Sequence, residues 1–225
     1  MRPVRKLAIG LWVAVFLVAG IRFGGRWQQR PADQTVNTTV DSGVDSTVNS
    51  QAIAPIEISE AAVAVGDRLP AIRLADLKGQ QRTLSDWSGR TLLINFWATW
   101  CAPCRQEMPL LQQFQESQDP ARMQVIGIAI DRREPVLQFM GETGVTYPNL
   151  VGEMDATRAA EQFAVGFALP LSVVVAPDGT VLAVHMGEIR VSDLEQIAAV
   201  AAGLAAGTLN VGDAPARLQL GSRPP

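Results

Sequence analysis

"TLLINFWATWCAPCRQEMP", residues 91–109, contains both cysteines of a 225-residue chain. Residues 91–97 form a largely apolar run rich in strand formers, the pattern of a strand covered on both faces. Beyond the cysteines, Met108, Leu111 and Phe114 recur at three-residue steps. Leu110 adds to the same side, and glutamines and acids fill the other through Ser117, so a helix follows. The cysteine pair therefore falls where a strand turns into a helix. That is the carboxyl end of a strand in an open α/β sheet, the place where such folds put their sites.

The flanking segments extend the same pattern. Residues 71–76 and 81–86 are short β-like segments around the turn "DLKGQ", which predicts a hairpin. "MQVIGIAID" (123–131) is a second buried strand, 134–143 a helix ending near Gly144, and 155–164 a shorter helix. "LSVVVAPDGTVLAVHMG" (171–187) reads as two strands about a Pro-Asp-Gly turn. A last helix is expected to start at an N-cap Ser192, with Glu195 completing a capping box, and to run to about Ala206. Residues 207–225, rich in Gly, Pro and Arg, read as a disordered tail. The order predicts a mixed sheet with helices on both faces, an α/β domain over 62–206.

The N-terminus reads differently. Residues 1–30 carry six basic residues and no acid, leaving 13 basic against 22 acidic residues in the remainder. That acidic remainder is a poor surface for a nucleic-acid backbone. "LAIGLWVAVFLVAGI" (7–21) is uncharged and apolar on every face, so 1–27 is expected to be a signal anchor, with cleavage after Gly20 the alternative. Basic residues flank it on both sides, so orientation rests on the expectation that the C-terminal part is exported. Residues 28–61 read as a flexible polar linker. Four drifted copies of a tetrapeptide at 35–50 offer too little apolar area to offset ordering entropy.

Cys101-Ala102-Pro103-Cys104 sets the first thiol at a helix N-terminus, where free N–H groups and the macrodipole favour a thiolate. Cys101 would be the exposed nucleophile, and Cys104, within the first turn, the shielded resolving thiol. Pro103 fits the first turn because its missing N–H has no partner to lose there. Structural zinc needs four ligands, and His185, alone on a predicted strand, reads as a strand residue instead. Cu(I), which tolerates two thiolates, stays open. A purely structural disulfide would close a tiny loop and constrain the unfolded chain little. Redox chemistry without a cofactor is the better reading.

With "FWATWCAPCRQEMP", "GDRLPAIRLADLKGQQRTLSDWSGRTLLINFW", "VIGIAID" and "FALPLSVVVAPDGTV", the chain resembles the thioredoxin superfamily over about residues 64–206. More narrowly, it is similar to the membrane-anchored TlpA/ResA branch of bacterial thiol–disulfide oxidoreductases, near the DsbE-type cytochrome c maturation proteins. The resemblance implies a thioredoxin-like fold with an extra N-terminal β-hairpin. It also implies that Pro170 is cis and faces the cysteines, leaving the backbone of Leu169 free to pair with a bound substrate chain. Leu171 stands where several members have Thr. Asn95, which cannot titrate, occupies the place of thioredoxin's buried Asp. Glu107 matches the Glu found six residues after the first Cys in ResA-like proteins. One helical turn past Cys104, a Glu107 carboxylate of raised pKa would take that thiol's proton. The plain alternative is a surface Glu in a first turn. Trp100 is expected to line the cleft and Trp97 to be core.

The reading that results is an exported, membrane-tethered reductase of protein disulfides, on the periplasmic side of the inner membrane. Its clients would be apocytochrome c or a copper-site assembly protein, and a transmembrane thiol carrier of DsbD or CcdA type would feed it electrons. A DsbA-type oxidant lacks support because no His lies between the cysteines. A Cu(I) metallochaperone using the same dithiol is the rival from a different class, without a methionine-rich run to favour it.

Overall fold

A computed structural model describes residues 62–221. The anchor expected at 1–27 and the linker with its repeat lie outside the described residues. Among the described residues no helix is long and apolar enough to cross a membrane.

Seven strands form one sheet: β1 (Arg73–Asp76), β2 (Gln81–Thr83), β3 (Thr91–Trp97), β4 (Met123–Ile130), β5 (Asn149–Gly152), β6 (Leu171–Val175) and β7 (Val181–Met186). Their spatial order is β2-β1-β5-β4-β3-β6-β7. β3, β4 and β5 run parallel, and β6, β7 and β1 join antiparallel. Four helices pack on it: α1 (Ala102–Ser117), α2 (Arg133–Thr143), α3 (Met154–Glu161) and α4 (Val191–Ala205). β1 and β2 pair through Arg73–Thr83 to Ala75–Gln81, and residues 84–87 turn into a short 3-10 helix rather than extending the strand.

Every residue of β3 is buried. Leu93 and Trp97 face a core shared with Met108, Leu111 and Phe114 of α1 and with Leu194 and Ile197 of α4. Leu92, Ile94 and Phe96 face a second core with Ala156 and Ala160 of α3 and Leu84 and Trp87 of the 3-10 turn. The alternation follows from the two-residue period of a strand. β3 is central, so both of its faces find apolar partners.

The structure departs from the sequence reading in three further places. β5 was not anticipated: four residues between Pro148 and the α3 turn are too short for a periodic signal. It carries β1 on its outer edge and so joins the N-terminal hairpin to the main sheet. The N-cap of α4 is Arg190, not Ser192, and the buried Asp193 rather than the exposed Glu195 accepts the Arg190 N–H, at 2.9 Å. The expected disordered tail is ordered to Gly221. Residues 211–213 and 215–217 form 3-10 turns, Ala214 is fully buried, and Leu209, Val211, Leu218 and Leu220 pack on the first core. Spaced apolar anchors within a Gly- and Pro-rich composition hold it there.

Candidate active site

The strand-to-helix junction is built by a polar brace at each end of the loop. Thr99 donates both its backbone N–H, at 3.1 Å, and its hydroxyl to the carboxylate of Asp131, which follows β4. At the base, the Trp97 indole N–H donates to Asn149 Oδ1 at 2.8 Å. That contact needs Gly127 on the intervening strand, where a Cβ would lie 2.0 Å from the same oxygen. A side chain at position 127 would have to push the Asn149 amide aside and break this hydrogen bond.

Cys101 is the N-cap of α1, and its sulfur accepts the Cys104 N–H at 3.3 Å. The two sulfurs are joined in a disulfide. Cys104 is fully buried, while Cys101 keeps 6% exposure, less than the sequence reading expects of an open nucleophile. What remains of it lines a cleft of about 560 Å³ with Trp100, Pro103, Ile130, Thr157, Phe167, Ala168 and Leu169. Trp100 stands 69% exposed at that cleft, whereas Trp97 is wholly core. The Leu169–Pro170 peptide is cis, the isomer the resemblance implies, and Pro170 is buried. Leu171 is a buried member of the second core.

Glu107 is not a surface residue: it is 4% exposed. Its Oε1 accepts from Asn95 Nδ2 at 2.7 Å, and its Oε2 accepts the Ile189 backbone N–H at 2.8 Å. Asn95 Nδ2 also donates to Ser172 Oγ at 3.1 Å, so the amide links α1 to the neighbouring strand β6 on one face of the sheet. Burial raises the Glu107 pKa to about 7, against the two hydrogen bonds that lower it, and the nearby Glu188 pushes it up further. Tyr147, buried on the same side, has its own pKa raised by burial and by the charge of Glu107. The Cys104 and Glu107 side chains are thus one helical turn apart on α1 and both enclosed.

Sequence reasoning placed Cys101, Cys104, Glu107, Trp100, Leu169 and Pro170, and the fold brings them to one end of β3. It missed Asp131, Asn149, Ser172 and the Ile189 N–H. Only the polar residue at the end of β4 left a local trace. His185 lies on β7, its Nε2 3.4 Å from the Glu188 carbonyl oxygen. Among the described residues no three His, Cys, Asp or Glu side chains gather as a metal site.

A Cys-x-x-Cys disulfide at the end of a parallel strand, capping a helix, together with a cis-proline before the next strand of the sheet, defines a thioredoxin-fold thiol–disulfide oxidoreductase. The Redoxin family profile matches residues 64–198, and the chain belongs to that family. It is 30% identical over 138 residues to the thiol-disulfide oxidoreductase ResA of Geobacillus kaustophilus, covering 61% of this chain and 78% of that protein. It is 27% identical over 141 residues to the thioredoxin-like protein YneN of Bacillus subtilis, covering 61% and 80%. Among solved structures, a thiol:disulfide interchange protein of the thioredoxin family from Chlorobium tepidum superposes with a TM-score of 0.55 at 27% identity, covering 62% of this chain and 99% of that one. A secreted thiol-disulfide isomerase from Corynebacterium glutamicum gives 0.53 at 28% identity, covering 64% and 92%. The chain is an enzyme of the TlpA/ResA-like type.

Proposed function

We propose that the enzyme works as a reductant of protein disulfides outside the cytoplasm, tethered at the inner membrane by residues 1–27. The observation that carries the reductant reading is the buried Glu107, one turn beyond a fully buried Cys104, its pKa raised by burial to about 7. The Cys101 thiolate attacks one sulfur of a client disulfide. The client S–S bond breaks, one client thiolate leaves, and a mixed disulfide forms. Cys104 then gives its proton to Glu107 and attacks the Cys101 sulfur. The second client thiolate leaves and the Cys101–Cys104 disulfide closes, so the client gains two electrons and the enzyme loses two. Trp100 and the backbone of Leu169 beside Pro170 hold the client chain in the cleft.

A transmembrane thiol carrier of DsbD or CcdA type returns the electrons. The clients are disulfides of apocytochrome c haem motifs or of a copper-site assembly protein. Similarity to a secreted isomerase supports the extracytoplasmic setting. The test is the reduction potential of the Cys101–Cys104 pair. A value of about −270 mV or lower is expected, and a value near about −120 mV would make the protein a disulfide donor instead.

A further inference from the structure

The loop between β7 and α4 has four residues, Gly187 to Arg190, and three of its backbone N–H groups point at different parts of the site's support. Gly187 N–H donates to the Pro170 carbonyl at 2.8 Å. Ile189 N–H donates to Glu107 Oε2 at 2.8 Å. Arg190 N–H donates to Asp193 Oδ2 at 2.9 Å. The same four residues thus touch the cis-proline, the buried carboxylate and the first turn of α4.

Asp193 does more than cap that turn. It has no exposed surface, and its second oxygen, Oδ1, accepts the Gly221 N–H at 3.0 Å. Burying a carboxyl group is costly unless its polar atoms find partners. Here two N–H groups from separate segments and the helix N-terminus supply them. The tail is brought to this point by independent contacts: Gln219 N–H donates to Gln196 Oε1 at 2.7 Å. Gly221 itself lies against His185 of β7, where a Cβ would come within 2.5 Å of the ring, and its φ of +74° also favours glycine. An exposed cap would need none of this. A buried carboxylate clasping the start of α4 and the tail at Gly221 fixes the position from which the loop enters the core.

The geometry points to Asp193 as a positioning residue for Glu107: through Arg190 and the ordered C-terminal tail it holds the loop that places the Ile189 N–H on the Glu107 carboxylate. The inference rests on the reading of Glu107 as proton acceptor for its functional meaning, but the coupling itself is physical and needs no turnover to measure. The charged or titratable groups facing Glu107 are Glu188 from the loop, Tyr147 from the segment before β5, and the thiols of α1 once the disulfide is reduced. Asn95 and Ser172 supply only neutral dipoles. Of these contacts, the Ile189 N–H and Glu188 move with the loop.

The test follows the Glu107 carboxyl by carbon NMR through a pH titration of the full-length oxidised chain, with Glu107→Gln identifying the signal. The same samples report the Ile189 amide, whose shift follows the Glu107 titration in the unaltered protein. In Asp193→Ala, the Glu107 midpoint is expected to rise from about 7 by about one pH unit, because the withdrawn Ile189 donor outweighs the withdrawn Glu188 charge. The Ile189 amide then stops tracking it. Asp193→Asn, which keeps the shape and one acceptor, and a chain ending at Leu218 are each expected to give a smaller rise. An unchanged midpoint in folded Asp193→Asn and in the shortened chain overturns the inference and leaves Asp193 a helix cap, even where Asp193→Ala does not fold. Absence of disulfide reduction by the unaltered protein, with the coupling intact, would instead remove the proposed function and leave this inference standing.

Discussion

Even- and odd-numbered residues of β3 look into two different interiors. Leu92, Ile94 and Phe96 meet aliphatic and aromatic groups throughout, with Phe96 and Phe163 ring centroids 5.9 Å apart. Leu93, Asn95 and Trp97 look toward α1, and there the interior contains the Asn95–Glu107 and Trp97–Asn149 hydrogen bonds. One face is a core that any well-packed apolar set would satisfy. The other holds polar groups whose burial has to be compensated contact by contact. The contrast teaches that one strand can carry stability on one side and chemistry on the other.

Substitutions can break that division. The largest effect is expected from Ile94→Ala on the apolar face, a loss of about 2–5 kcal/mol in denaturant unfolding. The reduction potential of the remaining folded protein should stay where it was. A shifted potential would show that the faces are not separable.

The second effect comes from the polar face and has the opposite character. Glu107 has its pKa raised by burial from 4.5 to about 7, so the folded state binds its proton more tightly than the unfolded state. Its contribution favours folding below about pH 4.5 and is lost as pH rises through about 7, a change of about 3 kcal/mol. Unfolding free energies at pH 4.5 and 8 should show this slope, and Glu107→Gln should remove it.

Third, Glu107→Gln is expected to slow release of the mixed disulfide by about a hundredfold at neutral pH, with the deficit shrinking as pH approaches the thiol's own pKa. Stopped-flow rates across pH would measure it, and a pH-independent deficit would argue for lost packing instead. The smallest effect belongs to the rim: Trp100→Ala should change stability by under about 0.5 kcal/mol while raising KM for a protein disulfide.

The legible parts of this molecule are those whose signal lies within one segment. The β3–α1 junction, its cysteine pair and the β6–β7 hairpin each announce themselves by local spacing or turn chemistry. Glu107 was found by position and resemblance, but its burial depends on Asn95, 12 residues away, and on Ile189, 82 residues away. No window along the chain contains both. β5 failed because pairing with β4 and β1, not its own four residues, makes it a strand. The tail failed because composition counts glycines and prolines without regard to where Ala214 and Leu218 land.

The entry of the chain into the domain has a consequence for the order of events. Gly66 N–H bonds to Val181 O, Leu69 N–H to Gly179 O, and Val63 N–H to Gln162 O, at 2.8, 2.8 and 2.6 Å. The first residues of the domain are therefore sewn to partners far along the chain, Val63 to the end of α3, and Gly66 and Leu69 to the β6–β7 hairpin more than a hundred residues later. Such distant pairing closes slowly, because the intervening chain must be gathered before the contacts stabilise it. During synthesis, residues 66–69 wait without their partners until the β6–β7 turn has been made. The beginning of this domain is among the last of its parts to be locked.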